Sequence, residues 1–318
     1  MNHESASRLD APVLSSDGPE DATPTLVHAG PNRLTLAAFG ATVLIGGSNF
    51  VAVTFSNAEL APLYGAAVRF SAAAMLFGLL AWALSLPLPR GRALLGSTVY
   101  GLLGFGLAYG LMYFALLEVS IGMAAVIMAT LPLFTLVLAV LHGQERLTSA
   151  GVIGGSLAIA GIAVMSLRSI GGELPLLHLV AAVCAAAAAA ESAVVVKGFP
   201  RAHPVTTNAV GMTAGALLLW AGSVLTSEQW TVPHLARTWA ALGWLVIAGS
   251  VGLFYLFVFV IRRWTASATA YSLTLMPVVA VTLGALLADE PITPEVIVGA
   301  ALVVAAVYVG AIRRTTDQ

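Results

Sequence analysis

The chain has 318 residues, of which 59% are hydrophobic and 9% charged, with a net charge of −1. A water-facing domain carries about 25% charged residues, so a soluble fold is excluded and the class is a polytopic membrane protein. The single cysteine, Cys184, excludes a disulfide framework, and no nucleic-acid partner is expected.

Residues 1–33 are polar, acidic and rich in Pro, Ser and Asp, without the basic start and apolar stretch of a signal peptide. Such a segment buries too little apolar surface to offset its ordering entropy, which predicts a disordered cytoplasmic tail. Beyond it, apolar runs near the length of a membrane-spanning helix follow one another. They predict helices at about 34–55, 62–84, 93–117, 121–141, 149–167, 175–196, 205–226, 239–261, 267–288 and 294–312, with 313–318 as a second cytoplasmic tail. The connections are short, so consecutive helices run antiparallel. His3, His28, His142, His178, His203 and His234 fall in the tail, in connections or near span ends. No two share a helix at ligand spacing, and neither a metal site nor a cofactor is expected.

Lysine and arginine placement sets the orientation. With a cytoplasmic N-terminus, the inner side collects Arg8, Arg33, Arg90, Arg92, Arg146, Lys197, Arg201, Arg262, Arg263, Arg313 and Arg314. The outer side collects Arg168 and Arg237, and Arg69 lies inside a span. Both termini are therefore expected in the cytoplasm.

Residues 129–148 (ATLPLFTLVLAVLHGQERLT) and 274–293 (TLMPVVAVTLGALLADEPIT) align without a gap at an offset of 145. Pro132 matches Pro277, Glu145 matches Glu290, and Thr148 matches Thr293. Upstream the offset is 142, so that Pro62 matches Pro204 and Asn49 matches Glu191. The first repeat occupies 34–168 and the second 175–312. Each repeat holds an odd number of spans, so the second enters the membrane from the opposite side, the inverted-repeat plan of secondary transporters.

These motifs carry a family resemblance. GGSNF at 46–50, P–x6–RF at 62–70, MAAVIMATLPLFT at 123–135, GQERLT at 143–148 and ADEPIT at 288–293 resemble the EamA family of the drug/metabolite transporter superfamily. The resemblance covers all ten spans. It implies a ten-helix, multi-pass carrier of a bacterial-type inner membrane, exporting amino acids or related metabolites.

Within the spans, Arg69 and Glu191 are the charged residues apart from Glu118 at an outer edge. A charge at mid-membrane costs about 3 kcal/mol on insertion scales, so both are candidates for substrate contact, against the structural readings of snorkelling or holding backbone carbonyls of a broken helix for Arg69 and of a neutral or Lys197-paired carboxyl for Glu191. Glu191 is also a candidate for proton coupling. Asn49, Tyr109, Tyr113, Phe254, Tyr255 and Tyr271 complete the cavity candidates, Tyr109 and Tyr113 sharing one helix face. Pro132 and Pro277 are expected to kink their helices. Glu145, Thr148, Glu290 and Thr293 read as structural span ends, with Thr293-Pro294-Glu295 as N-cap, N1 proline and first-turn acid. Gly106/Gly110 and Gly151/Gly155 read as close-packing pairs. The leading expectation is a secondary exporter working by alternating access, amino acids being the first substrate class. Aromatic or cationic compounds on the same fold are the alternative, and a lipid-modifying membrane enzyme is the alternative of another class. No Walker-type loop is present to couple transport to ATP.

Overall fold

A computed structural model of the chain describes residues 33–143, 149–166, 175–263 and 266–309. Glu145, Thr148 and both tails beyond these limits lie outside the described residues, as does the side chain of Tyr271. The described residues form helices and no strand. Seven helices are long and apolar enough to cross a membrane, and three shorter apolar segments complete a set of ten. In chain order they are α1 (Arg33–Asn57), α2 (Pro62–Ala83), α3 (Arg92–Ala115), α4 (Ile121–Leu141) and α5 (Ser149–Ser166). The second half comprises α6 (Leu176–Val196), α7 (Pro204–Leu225), α8 (236–263), α9 (Ala266–Leu287) and α10 (Pro294–Val307).

The exterior of the bundle is apolar. Leu79, Trp82, Leu141, Ile159, Leu225, Ile247 and Leu286 are exposed, a surface that would aggregate in water and is satisfied by lipid. The interior is built from small residues, Ala66, Ala67 and Ala73 on α2 and Ala182, Ala185 and Ala186 on α6 among them. These let helix backbones approach where no water is available to drive association.

The packing repeats under exchange of the two halves. Helix α1 packs on α8 and α9, and its counterpart α6 packs on α3 and α4; α2 pairs with α7 and α5 with α10. The correspondence extends to an irregularity. α3 widens into a π-helical stretch at Leu102–Leu107 and α8 does so at Ile247–Gly252, the same positions at the 145-residue offset. The equivalent prolines behave differently: α4 is interrupted by a turn at Thr130, putting Pro132 in the first turn of its second segment, whereas Pro277 sits inside the continuous α9.

Two crossings are closed by glycine. A Cβ at Gly101 of α3 would collide with the backbone of Gly211 on α7, and one at Gly161 of α5 would lie 2.8 Å from the Gly299 carbonyl on α10. The close-packing pairs read from sequence are corrected in part: Gly106 meets α7 through Leu218 and Gly215, but a Cβ at Gly155 would meet nothing within 4 Å.

At one end of the bundle, three carboxylates each cap a helix of the opposite half. Glu59, between α1 and α2, accepts the His234 and Leu235 amides that precede α8 (2.9 and 3.0 Å) and the Thr238 hydroxyl. That hydroxyl, and then the two amides, hold the Glu59 carboxyl below the usual range. Glu228 accepts the Leu63 and Tyr64 amides that open α2, at 3.1 and 2.8 Å. Glu290 accepts the Ile121 amide that opens α4 at 2.8 Å; burial raises its carboxyl despite that bond. The Thr293 hydroxyl accepts the Val296 amide at 3.4 Å, capping α10 ahead of Pro294 and Glu295. The opposite end carries Arg90, Arg92, Lys197, Arg201 and Arg263.

Candidate functional site

A cavity of about 370 Å³ lies between the halves, lined from α1, α2, α3, α4, α6, α8 and α9. That volume falls in the range of small-molecule sites, about 300–1,000 Å³. The longest stripe comes from α3 and the residue that follows it, where Tyr100, Gly104, Ala108, Met112 and Leu116 succeed one another at a spacing of four, flanked by Phe105, Tyr109 and Tyr113. The π-helical stretch at Leu102–Leu107 falls within this run, and side chains on both sides of it reach the cavity.

Arg69 enters this cavity from α2 and is 1% exposed. Its Nε donates to Ser250 Oγ at 3.3 Å, Nη1 to the Tyr113 hydroxyl at 3.4 Å and Nη2 to the Gly249 carbonyl at 3.3 Å. The guanidinium carbon lies 5.0 Å from the ring centres of both Phe70 and Tyr109, a cation–π setting. All these partners are neutral, and no carboxylate lies within ion-pair distance of Arg69 among the described residues. The Gly249 carbonyl belongs to the π-helical stretch of α8, where the regular backbone ladder is interrupted.

Asn49 reaches the same carbonyl from α1, its Nδ2 donating at 3.4 Å. Its Oδ1 is buried with no hydrogen-bond partner, and an unsatisfied acceptor of this kind costs about 1–3 kcal/mol. A Cβ at residue 249 would collide with the Asn49 amide, so glycine is what lets α1 and α8 meet here. The cavity thus holds a fixed cation with the Asn49 amide packed beside it, in walls that are otherwise apolar or aromatic.

Of the residues proposed from sequence, Asn49, Arg69, Tyr109 and Tyr113 line this cavity together. Three others are placed elsewhere. Tyr255 is 66% exposed on the outer face of α8. Phe254 packs edge-on against Phe77 and borders a second cavity near Lys197 and Arg201. Glu191 sits beside the cavity wall rather than in it, its Oε1 3.2 Å from His142 Nε2, and does not pair with Lys197. The reason is helical phase: the neighbours Ser192, Ala189 and Ala193 face the cavity, which turns Glu191 toward α4. Tyr100, Phe105, Ser192 and Met276 were not singled out from sequence, although Phe105 stands four residues before Tyr109 as Tyr109 does before Tyr113.

The EamA-like transporter family matches residues 34–167 and 176–311, once for each half. The chain belongs to the EamA-like transporter family. This EamA-like chain is therefore a multi-pass membrane transporter. It is 31% identical over 278 residues to the uncharacterized inner membrane transporter YedA of Escherichia coli K12, covering 82% of this chain and 86% of that protein. An uncharacterized transporter of Archaeoglobus fulgidus is 25% identical, covering 84% of this chain and 95% of the relative. A probable terminal-alkyne amino-acid exporter of Streptantibioticus cattleyicolor is 26% identical over 75% of this chain and 80% of its own length. A crystal structure at 20% identity superposes with a TM-score of 0.61 over 89% of this chain and 98% of that one, a likeness of fold.

Proposed function

We propose that the chain is a secondary exporter of amino acids with apolar or aromatic side chains, moving them by alternating access of its two halves. The observation that carries this reading is Arg69, a cation buried at the cavity with neutral partners only among the described residues. A carboxylate supplies the missing charge and accepts from the guanidinium in its preferred bidentate manner. Because Asn49 and Arg69 both bond the Gly249 carbonyl, the amide and the guanidinium converge on one end of the substrate. The apolar remainder of the cavity receives the side chain. A fixed guanidinium repels cationic compounds, so the cationic-drug alternative fits this cavity less well. The exporter from Streptantibioticus, named for an amino-acid cargo, supports the same substrate class.

The orientation that accompanies this reading puts the basic end in the cytoplasm and the three cross-half carboxylate caps outside. The test is uptake into inverted vesicles of radiolabelled phenylalanine and leucine, beside phenethylamine and isoamylamine as their decarboxylated counterparts. Saturable flux of the amino acids and none of the amines is expected. Transport of the amines in preference to the amino acids overturns the assignment of Arg69 as the carboxylate partner.

A further inference from the structure

At the basic end of the cavity the two halves touch through a pair of titratable side chains. His142 follows the last turn of α4 in the first half, and Glu191 lies on α6 in the second, Nε2 to Oε1 at 3.2 Å. The other ring nitrogen fixes the protonation. Nδ1 of His142 lies 2.9 Å from the Leu138 carbonyl; a carbonyl only accepts, so Nδ1 carries a hydrogen. In a neutral imidazole Nε2 is then a bare acceptor. An ionised carboxylate is also acceptor-only, so the contact is bonded in two forms alone: an imidazolium donating to the carboxylate, or a carboxylic acid donating to Nε2. Either form holds one proton between Nε2 and Oε1. Without it, two lone pairs face each other. The second carboxyl oxygen, Oε2, is buried without a partner, a position costlier for a charged oxygen than for a carbonyl-like one.

Helix α6 packs against α3 and α4. As charged or titratable side chains α3 carries Arg92, Tyr100, Tyr109 and Tyr113, and α4 carries none before His142. His178 and Cys184 lie toward the far end of α6, Lys197 follows its last turn, and Glu145 and Arg146 lie outside the described residues. Among the described residues, His142 is the ion-pair partner of Glu191. The next residue after Glu191, Ser192, lines the cavity.

We infer that His142 and Glu191 form a proton-binding latch that ties α4 to α6 across the two halves and opens when its proton leaves. The ligand of this site is a single proton. Its uptake favours the arrangement in which the cavity is fastened at the basic end, and its release frees α4 to part from α6. Proton binding is thereby linked to the movement of the halves, whatever the cargo.

The test needs no substrate, so it stands apart from the amino-acid reading. In the full-length chain carrying Cys184→Ser, spin labels are placed at Leu141→Cys and Gly198→Cys, both exposed positions beside the latch. Their separation is measured in nanodiscs from about pH 5 to about pH 8, the range in which histidine changes charge. The expected result is a short distance at acid pH that lengthens by about 5 Å, on the order of one helical turn, as the pH rises. Glu191→Gln keeps the distance short at every pH, because its amide N–H takes the place of the proton and donates to Nε2. His142→Gln does the same by donating to the carboxylate, and serves if the first variant fails to fold. A distance that ignores pH without these substitutions overturns the latch, as does one that still follows pH when either glutamine is present.

Discussion

Among the contacts between the halves is one equivalent pair, α2 on α8 and α7 on α3, whose two members are built in opposite ways. In the first, α2 presents Arg69 to the π-helical stretch of α8. In the second, the matching position on α7 is Gly211, and it lies against Gly101 with backbone touching backbone. One interface is held apart by a large cation and borders the cavity; the other is pressed shut. The asymmetry continues at neighbouring positions, where Tyr109 of α3 is matched by Phe254 of α8 and Asn49 of α1 by Glu191 of α6. A duplicated scaffold has kept its shape in both copies, while Asn49, Arg69, Tyr109 and Tyr113 bring their polar groups to the cavity from α1, α2 and α3.

The largest effect is expected at the closed interface. Gly101→Leu places a branched side chain where the α7 backbone lies and where no flexible side chain can give way. The cost is expected at or above the top of the roughly 1–3 kcal/mol range for overpacking, read as loss of monodisperse protein on size-exclusion chromatography. At the open interface, Arg69→Met is expected to separate stability from function. Replacing an unpaired buried charge by an apolar chain of similar length removes its desolvation cost, so stability is expected to hold or rise, while loss of the proposed carboxylate partner cuts amino-acid flux by about 30-fold or more. Thermal unfolding and vesicle uptake measured on one preparation check both signs.

A smaller difference between the halves lies at the helix starts. Glu228 caps α2 from the opposite half, whereas α7 is capped by its own His203, whose Nδ1 accepts the Val205 amide at 3.3 Å. Glu228→Ala is expected to lower stability by about 1 kcal/mol, and His203→Ala by less, as compared by denaturation midpoints. The smallest effect is a pH dependence at Glu290, whose carboxyl is raised in the folded state by burial. A raised group contributes stability that is complete below the unfolded value, here 4.5, and is lost as pH rises through the folded one. Glu290→Gln is expected to remove this decline, seen as a flatter profile of Tm against pH over that window.

Much of the architecture was legible because the bilayer imposes it. Apolar runs between short polar connections mark the spans, and the match of Pro132 with Pro277 and Glu145 with Glu290 exposes the duplication. Arg69 stood out because a charge inside an apolar span has few reasons to be there. What stayed hidden was helical phase across the π-helical stretches. Each stretch departs from the regular 3.6-residue turn, so side chains beyond it cannot be assigned to a face by counting, and Phe254 and Tyr255 on α8 are placed away from the main cavity. The partners of Glu59, Glu228 and Glu290 were also out of reach, since each lies more than 160 residues away in sequence.

The acceptor shared by Arg69 and Asn49 is a main-chain oxygen, that of Gly249. No substitution at position 249 deletes it, and a larger residue there would displace Asn49 instead of altering the oxygen. Variation in this carrier can therefore change the two side chains that lean on that oxygen, while the anchor itself passes unchanged from one variant to the next.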